Sequence, residues 1–409
     1  MNDSQLLQQA DRCVKCGLCL AVCPTYALRA NEADSPRGRI ALIQGMLTGD
    51  LDASTQLEAH LRGCLHCLNC AKACPSAVEY SLIIDAGLER LPKKSSWRLD
   101  QLSRWGQRPW LQQLARGLNL PGLHRLAEGL SWGSWRRLLE LLPQVARPLQ
   151  PGPAVAGPVV RGPVVQGQTA LFLGCIGQLN DSPAQHALVR LCAALQIPLS
   201  IPPGQGCCGA LHRHQGFAES SEPLRQANRQ AFVEAGPILS LSSGCGAELR
   251  QQFGDQLEDA SAFIARQTWP AGLTLQPLAA RVALHSPCSL RNGLGTEQAV
   301  WRLLQRIPEI QLLSLENSLG CCGGAGLQLI EQPQLADQLA EPLLEQIERL
   351  RPDFIVTSNS GCALHLRRAL RLRGMDMPLL HPIELVARQL PWSTMAANPS
   401  RSSSKEHRA

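Results

Sequence analysis

Two runs of four cysteines in this chain share one spacing. The first reads Cys13-Val-Lys-Cys16-Gly-Leu-Cys19-Leu-Ala-Val-Cys23-Pro24, and the second follows 51 positions later as Cys64-Leu-His-Cys67-Leu-Asn-Cys70-Ala-Lys-Ala-Cys74-Pro75. Three thiolates at i, i+3 and i+6 can ligate three corners of an iron–sulfur cube, and in chains with two such runs the fourth cysteine ligates the other cluster. The spacing therefore predicts two [4Fe–4S] clusters, with Cys13, Cys16, Cys19 and Cys74 at the first and Cys64, Cys67, Cys70 and Cys23 at the second.

The same residues admit a second interpretation, a pair of structural zinc sites, because C-x2-C is also a zinc spacing. Two complete runs that both end in proline favour the iron–sulfur interpretation. Basic residues lie near both runs. They could raise the reduction potentials of the clusters by stabilising the more negative reduced state. An equally weighted interpretation is that they are ordinary solvated surface charges. These residues are Arg12, Lys15, Arg62 and Lys72.

The whole chain has 409 residues, 17 cysteines and a net charge of +6. This length predicts two or three domains. Residues 1–12 are polar, so no secretory signal is expected there, and no apolar run reaches the ~18–20 residues of a membrane-spanning helix. Metal ligation is then favoured over disulfides. We expect a cytoplasmic protein, either free or peripheral on the cytoplasmic face of the membrane, and the mild positive charge favours an anionic surface or an acidic partner.

Helix signals fill the interval between the two cysteine runs. Ser35 as N-cap and Pro36 at the first helical position predict a helix that extends to Leu47. A second short helix is predicted from Ser54 to Leu61. An interval this long and helical favours an all-helical dicluster ferredoxin domain over residues 1–90.

Residues 91–142 form a basic, Trp-rich segment. Nine Lys or Arg residues and five of the eight Trp residues lie between positions 93 and 137, against only two carboxylates. One interpretation is contact with a membrane interface. The alternative, favoured slightly because Pro109 and Pro121 break a long helix, is short helices packed on the ferredoxin domain. No nucleic-acid recognition module accompanies the segment. Residues 143–168 are predicted to be a Pro/Gly linker and 392–409 a disordered tail.

The rest of the chain contains an internal repeat. An apolar strand ending in cysteine, a Gly-Cys-Cys-Gly turn and a strand running into Gly-Cys each occur twice, 113 to 117 positions apart. Helical patterns lie between them, such as Ala184–Leu195, whose apolar face includes Cys192 as a predicted core residue. Strands that alternate with helices predict two repeated α/β domains with parallel sheets, over residues 169–275 and 276–391.

The cysteines of the repeat fall where the strands end, which is where open α/β sheets gather ligands. Each half would bring four thiols together, enough for a zinc ion or an iron–sulfur cluster. The alternative is a turn whose backbone matters more than its sulfurs. The two candidate sets are Cys175, Cys207, Cys208 and Cys245, and Cys288, Cys321, Cys322 and Cys362.

These repeats resemble the cysteine-rich "CCG" domains of the heterodisulfide reductase B subunit. In that family the last element reads C-x2-C, and five cysteines can hold a non-cubane cluster. This chain departs from the pattern, because Glu248 and His365 stand where the fifth cysteines would be. His365 could replace the missing thiol in the second domain, whereas Glu248 is a less natural ligand for a soft site.

The combination of a dicluster ferredoxin domain with two such domains resembles the glycolate oxidase (glycolate dehydrogenase) iron–sulfur subunits over nearly the whole chain. Matching strings include Cys23-Pro-Thr-Tyr26, Ser35-Pro-Arg-Gly-Arg-Ile40, Cys207-Cys-Gly-Ala210 and Ser360-Gly-Cys-Ala-Leu-His365. The resemblance implies an oxidoreductase complex in which a separate FAD subunit oxidises glycolate to glyoxylate. The clusters of this chain would then carry electrons toward quinone or another acceptor.

The chain itself has no dinucleotide-binding fingerprint and no acid–base constellation, so no catalytic residue is assigned to it. Four alternatives stay open. The same relay could serve a lactate or a glycerol-3-phosphate dehydrogenase, the repeats could form a thiol–disulfide site as in heterodisulfide reductase, or the chain could be a stand-alone electron carrier or a zinc-bearing scaffold.

Overall fold

The computed structural model describes residues 1–92, 96–104, 137, 140, 141, 159, 160, 166–316 and 318–391. Most of the basic, Trp-rich segment, most of the Pro/Gly linker and the tail beyond Pro391 lie outside the described residues. The predictions made for them stay predictions.

The N-terminal region consists of helices around the two cysteine loops. Their bounds are Asp3–Ala10 (α1), Pro24–Arg29 (α2), Pro36–Thr48 (α3), Thr55–Arg62 (α4), Asn69–Lys72 (α5), Tyr80–Glu89 (α6) and Trp97–Ser103 (α7), with a 3-10 turn at Glu32–Asp34. The structure describes no strand within residues 1–92 and 96–104. Both helix predictions are confirmed, because Ser35 caps α3 through Gly38 N–H and Ser54 caps α4 through Leu57 N–H.

The core of this region lies between α1, α3, α4 and α6. Leu6, Ile43, Leu61 and Ile83 are completely buried there. Helices α3 and α6 approach closely at Gly87, where a Cβ would stand 2.5 Å from the Ile43 side chain. The core contacts cysteines of both runs, so the packing of the helices positions the two loops.

Two parallel sheets follow, as the alternation of strands and helices predicts. The first has the order β1-β3-β2-β4-β5 and the second β7-β6-β8-β9. All pairings are parallel. The strands are Val159–Val160 (β1), Thr169–Phe172 (β2), Leu199–Ser200 (β3), Ile238–Ser240 (β4), Leu257–Asp259 (β5), Arg281–His285 (β6), Gln311–Leu315 (β7), Phe354–Val356 (β8) and Leu379–Leu380 (β9).

Helices connect these strands. They are Gly177–Asn180 (α8), Ser182–Ala194 (α9), Ala210–His214 (α10), Ala218–Ala231 (α11), Ser243–Phe253 (α12), Ala260–Arg266 (α13), Glu297–Leu304 (α14), Gln328–Glu331 (α15), Pro333–Leu350 (α16), Ser360–Leu372 (α17) and Pro382–Arg388 (α18), together with a π-helical turn at Ser289–Leu294. Helix α9 matches the predicted one, and Cys192 on its buried face is 1% exposed, which confirms it as a core residue.

The two sheet domains share one core, which the sequence did not predict. Helix α18, near the end of the second repeat, packs against α9 of the first. Arg190 on α9 donates to the Ala387 carbonyl of α18 at 2.6 Å. The predicted boundary between residues 275 and 276 therefore separates the two sequence repeats, although the two domains pack into one hydrophobic core.

Part of the predicted linker is an edge strand. Val159 and Val160 pair in parallel with Leu199 and Ser200 and extend the first sheet by one strand. Within the described residues, no helix has both the length and the apolar character needed to cross a membrane.

Candidate metal centres

The first cysteine run lies at the protein surface. Cys16 is exposed, and Cys13 and Cys19 are partly buried. Among them, Val14 and Leu18 are 68% and 58% exposed. The sulfurs of this run therefore lie close to solvent, next to a small apolar surface.

The second run is buried, and one cysteine of the first run is buried with it. Cys64, Cys67 and Cys70 are at most 9% exposed, and Cys23 is 6% exposed. Burial raises the pKa of the Cys67 and Cys70 thiols, and the neighbouring cysteines raise it further. Buried thiols this close together suit metal ligation, where the metal compensates the thiolate charges. Their grouping with Cys23 fits the crossed ligand set.

The cation beside the buried cysteines is Arg39, which the sequence analysis missed. Its side chain is 1% exposed and donates to the His60 carbonyl at 2.7 Å and to Thr25 Oγ1 at 3.1 Å. Burial raises the pKa of the Cys64 thiol, and Arg39 opposes that rise. Of the basic residues named from the sequence, Arg12, Lys15 and Lys72 are exposed, and Arg62 pairs with Glu58 at 2.6 Å. The spacing between Arg39 and the cysteine runs carries no signal that could have identified it.

The first repeat brings its four cysteines into one chain of contacts. Cys175 Sγ lies 3.4 Å from Cys207 Sγ. Cys208 contacts both Cys207 and Cys245 through its thiol. The Gly209 N–H points at Cys207 Sγ at 3.5 Å, as backbone donors do toward ligating sulfurs.

The second repeat brings its cysteines together in the same order. Thiol contacts join Cys288 to Cys321, Cys321 to Cys322 and Cys322 to Cys362. The N–H groups of Gly323 and Gly324 donate to the sulfurs of Cys321 and Cys322, each at 3.4 Å. None of the 17 cysteines of the chain is in a disulfide bond. The donor sets thus fit a soft metal or an iron–sulfur group, as four converging sulfurs do.

The histidine next to the second set is His285, not His365. Ligand atoms of His285, Cys322 and Cys362 all lie within 4.8 Å of one another. His365 is buried too, but its Nε2 bonds the Ala336 carbonyl at 2.9 Å. In the first repeat, Glu248 forms ion pairs with Arg213 at 2.6 Å and Arg225 at 3.1 Å. Glu248 is therefore engaged elsewhere, whereas His365 has a buried Nδ1 without a hydrogen-bond partner among the described residues but is not part of the compact group.

The loop of the second cysteine run inserts between the two cysteine-rich domains. On one side, Cys67 packs in an apolar cluster with Cys321 and Cys288. The Asn292 amide donates to the Cys67 carbonyl at 2.7 Å and to Asn69 Oδ1 at 2.6 Å. This side of the loop thus faces the second repeat.

On the other side of the loop, His66 faces the first repeat. Its ring stacks on that of His214, with centroids 3.9 Å apart and planes 11° apart. Burial, together with the nearby Arg213 and Arg39, lowers the pKa of His66 to about 3. Asp85 lies beside both, 2.9 Å from Arg213, and burial raises its pKa to about 7.

One cavity of about 610 Å³ adjoins both cysteine sets and the inserted loop. The eight repeat cysteines, Cys64, His66 and His214 all line it. The sites of the two repeats and the second run therefore meet around one space.

Helices around two cysteine runs, followed by two parallel-sheet domains with clustered thiols, define an iron–sulfur dicluster protein with tandem cysteine-rich domains. Residues 9–78 match the family described as 4Fe-4S dicluster domain, and residues 169–250 and 282–367 match the Cysteine-rich domain family.

The chain is 32% identical over 399 residues to the glycolate oxidase iron-sulfur subunit of Escherichia coli, which covers 92% of this chain and 93% of that one. A relative in Bacillus subtilis, named probable glycolate oxidase iron-sulfur subunit, is 26% identical over 416 residues, covering 92% and 91%. Lactate utilization protein A of a Geobacillus species is 22% identical over 234 residues, which are 54% of this chain and 98% of the relative. The chain belongs to the family of glycolate oxidase iron–sulfur subunits.

Proposed function

We propose that this chain is the electron-transferring iron–sulfur subunit of a glycolate oxidase. An FAD-containing partner subunit would oxidise glycolate to glyoxylate and pass the electrons to this chain, which passes them on to quinone or another acceptor. The observation that carries the proposal is the contrast between the two cysteine runs. One is exposed at the surface, where a partner can approach, and the other is enclosed by the cysteine-rich domains.

The proposed division of the chain follows the sequence analysis. An all-helical ferredoxin domain over residues 1–90 binds one [4Fe–4S] cluster through Cys13, Cys16, Cys19 and Cys74, and the other through Cys64, Cys67, Cys70 and Cys23. The segments 91–142 and 143–168 connect it to cysteine-rich domains over 169–275 and 276–391, each with a further metal or iron–sulfur site. Residues 392–409 form the tail.

The residues of this chain would perform three tasks in the relay. The thiolates ligate, and the clusters, when bound, supply one-electron redox chemistry. Arg39 holds a positive charge beside Cys23 and Cys64 and so favours the more negative reduced state. Burial of the second run excludes water, which strengthens this electrostatic effect. We also propose that the protein works in the cytoplasm or at the cytoplasmic face of the membrane, because a reducing compartment keeps cysteines available as metal ligands.

The test is low-temperature EPR of the complex, purified anaerobically with its partner subunits, before and after addition of glycolate. Reduced-cluster signals that develop with glycolate, but not with lactate or glycerol 3-phosphate, would support the proposal. If dithionite generates the signals and glycolate does not, the clusters are present but the complex oxidises a different substrate. The absence of cluster signals under both conditions would refute the electron-transfer role.

A second candidate substrate is lactate. The similarity to lactate utilization protein A, over 98% of that relative's length, favours it. The same experiment separates the two, because lactate and not glycolate would then generate the reduced signals.

A further inference from the structure

A histidine accompanies the second cysteine set and is absent from the first. His285 is the last residue of β6 and is 3% exposed. It stands three positions before Cys288, and Phe172 holds the equivalent position before Cys175. The two repeats, alike in their cysteines, therefore differ in the donor atoms that they offer.

The spacing of these donors matches one metal ion. Ligands at 2.0–2.3 Å from a tetrahedral ion are roughly 3.3–3.8 Å apart. The ligand atoms of His285, Cys322 and Cys362 lie within 4.8 Å of one another, so small side-chain movements would bring them to this spacing. In the part of the chain that the structure describes, one other group is as compact, namely His66, Asp85 and His214.

That other group is a poor metal site. Its two imidazole rings are stacked nearly parallel, so their in-plane lone pairs cannot converge on one ion. Arg213 also lies 2.9 Å from Asp85 and supplies the positive charge that a cation would bring. The compact group at His285 has neither feature.

The surroundings of His285 suit a ligand. Its Nδ1 is 2.9 Å from Thr357 Oγ1, which fixes the ring and leaves Nε2 for coordination, the arrangement usual for metal-bound histidine. Gly324 N–H donates to Cys322 Sγ, and Cys362 lies in the first turn of α17, where the helix dipole favours a thiolate. Two thiolates, a neutral imidazole and a divalent cation have no net charge, which suits a buried site.

We propose that His285, Cys322 and Cys362 bind a single zinc-type ion. The inference rests on the proposed function, in which both cysteine-rich domains bind a metal. For the second of these domains it identifies the ligands and the kind of ion. In this proposal His285 takes the place of His365, the candidate named from the sequence, because His365 is not part of the compact group. Because zinc has no redox chemistry, the first cysteine set is then the redox-active candidate in the cysteine-rich domains.

The test uses the full-length chain, purified anaerobically, with zinc and iron measured by mass spectrometry and the zinc environment by X-ray absorption. We expect about one zinc per chain with a mixed nitrogen and sulfur shell. His285→Ala should lose most of the zinc, and His285→Cys should keep it in a shell of sulfur alone. His365→Ala, a buried histidine of the same domain, is the matched control and should leave the zinc and its shell unchanged.

Several outcomes would overturn the inference. The first is that the parent chain contains no zinc. The second is that the zinc in His285→Ala still has a nitrogen ligand. The third is that His285→Ala loses iron and sulfide and keeps its zinc. Should His285→Ala not fold, His285→Cys decides, because a persisting nitrogen shell contradicts the assignment. The proposed function is tested by a different result: it is refuted if no EPR signals of reduced clusters develop when substrate is added. If Cys322→Ser and Cys362→Ser leave all metals unchanged, metal binding by this domain fails as a whole.

Discussion

The substitution Arg39→Gln probes how the buried cysteine run is held. Arg39 is 1% exposed and connects three parts of the N-terminal region, through the His60 carbonyl, Thr25 Oγ1 and Asp34 Oδ1. Its neighbour Thr25 lies 3.3 Å from Cys23 Sγ. Removal of the guanidinium therefore loosens the cluster ligands and leaves a buried carboxylate with weaker compensation.

The expected magnitude follows from these contacts. Removal of one partner of a buried ion pair costs about 3–5 kcal/mol. Asp34 keeps His60 Nδ1 at 3.1 Å and Arg29 at 3.4 Å, so the low end, about 3 kcal/mol, is expected. For a region of this size, that loss lowers the thermal midpoint by roughly 12–24 °C. The reduction potential of the cluster at Cys64 should also fall, while that at Cys13 stays the same.

The assay combines thermal unfolding followed by circular dichroism with EPR-monitored redox titration. Arg37→Gln is the matched control, because Arg37 is on the same helix but pairs with Glu32 and donates to the Lys15 carbonyl in the first cysteine loop. It should leave the potential of the cluster at Cys64 unchanged and the stability close to that of the parent. Arg39→Lys should keep the potential but lose part of the stability, because lysine lacks the planar fork. Equal behaviour of Arg39→Gln and Arg37→Gln would refute the reasoning.

Three further changes test other parts of the structure. Cys23→Ser should abolish the cluster of the second run and lower the iron content by about four per chain, and loss of the first cluster's signals instead would contradict the crossed ligation. Gly216→Ala, at φ +80°, places a Cβ 2.4 Å from the Leu88 carbonyl oxygen. Gly204→Ala is the control, because Gly204 has φ +81° and open space around it. The thermal midpoint of Gly216→Ala should be well below that of Gly204→Ala. Burial raises the pKa of Asp259 to about 6, so the native state binds its proton more tightly than the unfolded state, and this stability is lost as the pH rises from about 4 through 6. Asp259→Asn keeps the helix cap and removes the charge. It should raise the free energy of unfolding by about 3 kcal/mol at pH 8 and by about half as much at pH 5. A stabilisation that does not change with pH would refute the raised pKa of Asp259.

Sequence reasoning succeeded where the signal is local. The Ser35-Pro36 start of α3 and the buried face of α9 with Cys192 depend on neighbours within a few residues, so the pattern carries them directly. The repeated strand-to-cysteine pattern likewise predicted parallel sheets and two converging cysteine sets. In each case the geometry of one helix turn or one strand end decides the outcome.

The residues that sequence reasoning missed are those whose partners lie far along the chain. His285 meets Thr357 at a separation of 72 residues, whereas the candidate chosen from the sequence, His365, was favoured by its short distance from Cys362. The contact of Asn292 with the Cys67 carbonyl, 225 residues away, likewise has no local signature.

The sequence by itself determined the chemistry available to this protein, namely two iron–sulfur runs and two sets of four thiols, because ligand spacing within a loop is a local property. Only the tertiary structure decided which cysteine run is exposed, which cation is buried beside the other, and which histidine joins the second set. The first depends on how the second cysteine loop inserts between the repeats, the second on contacts of Arg39 with His60 and Asp34, and the third on the pairing of β6 with β8. Such packing arises from burying many side chains together, and no short stretch of sequence encodes it.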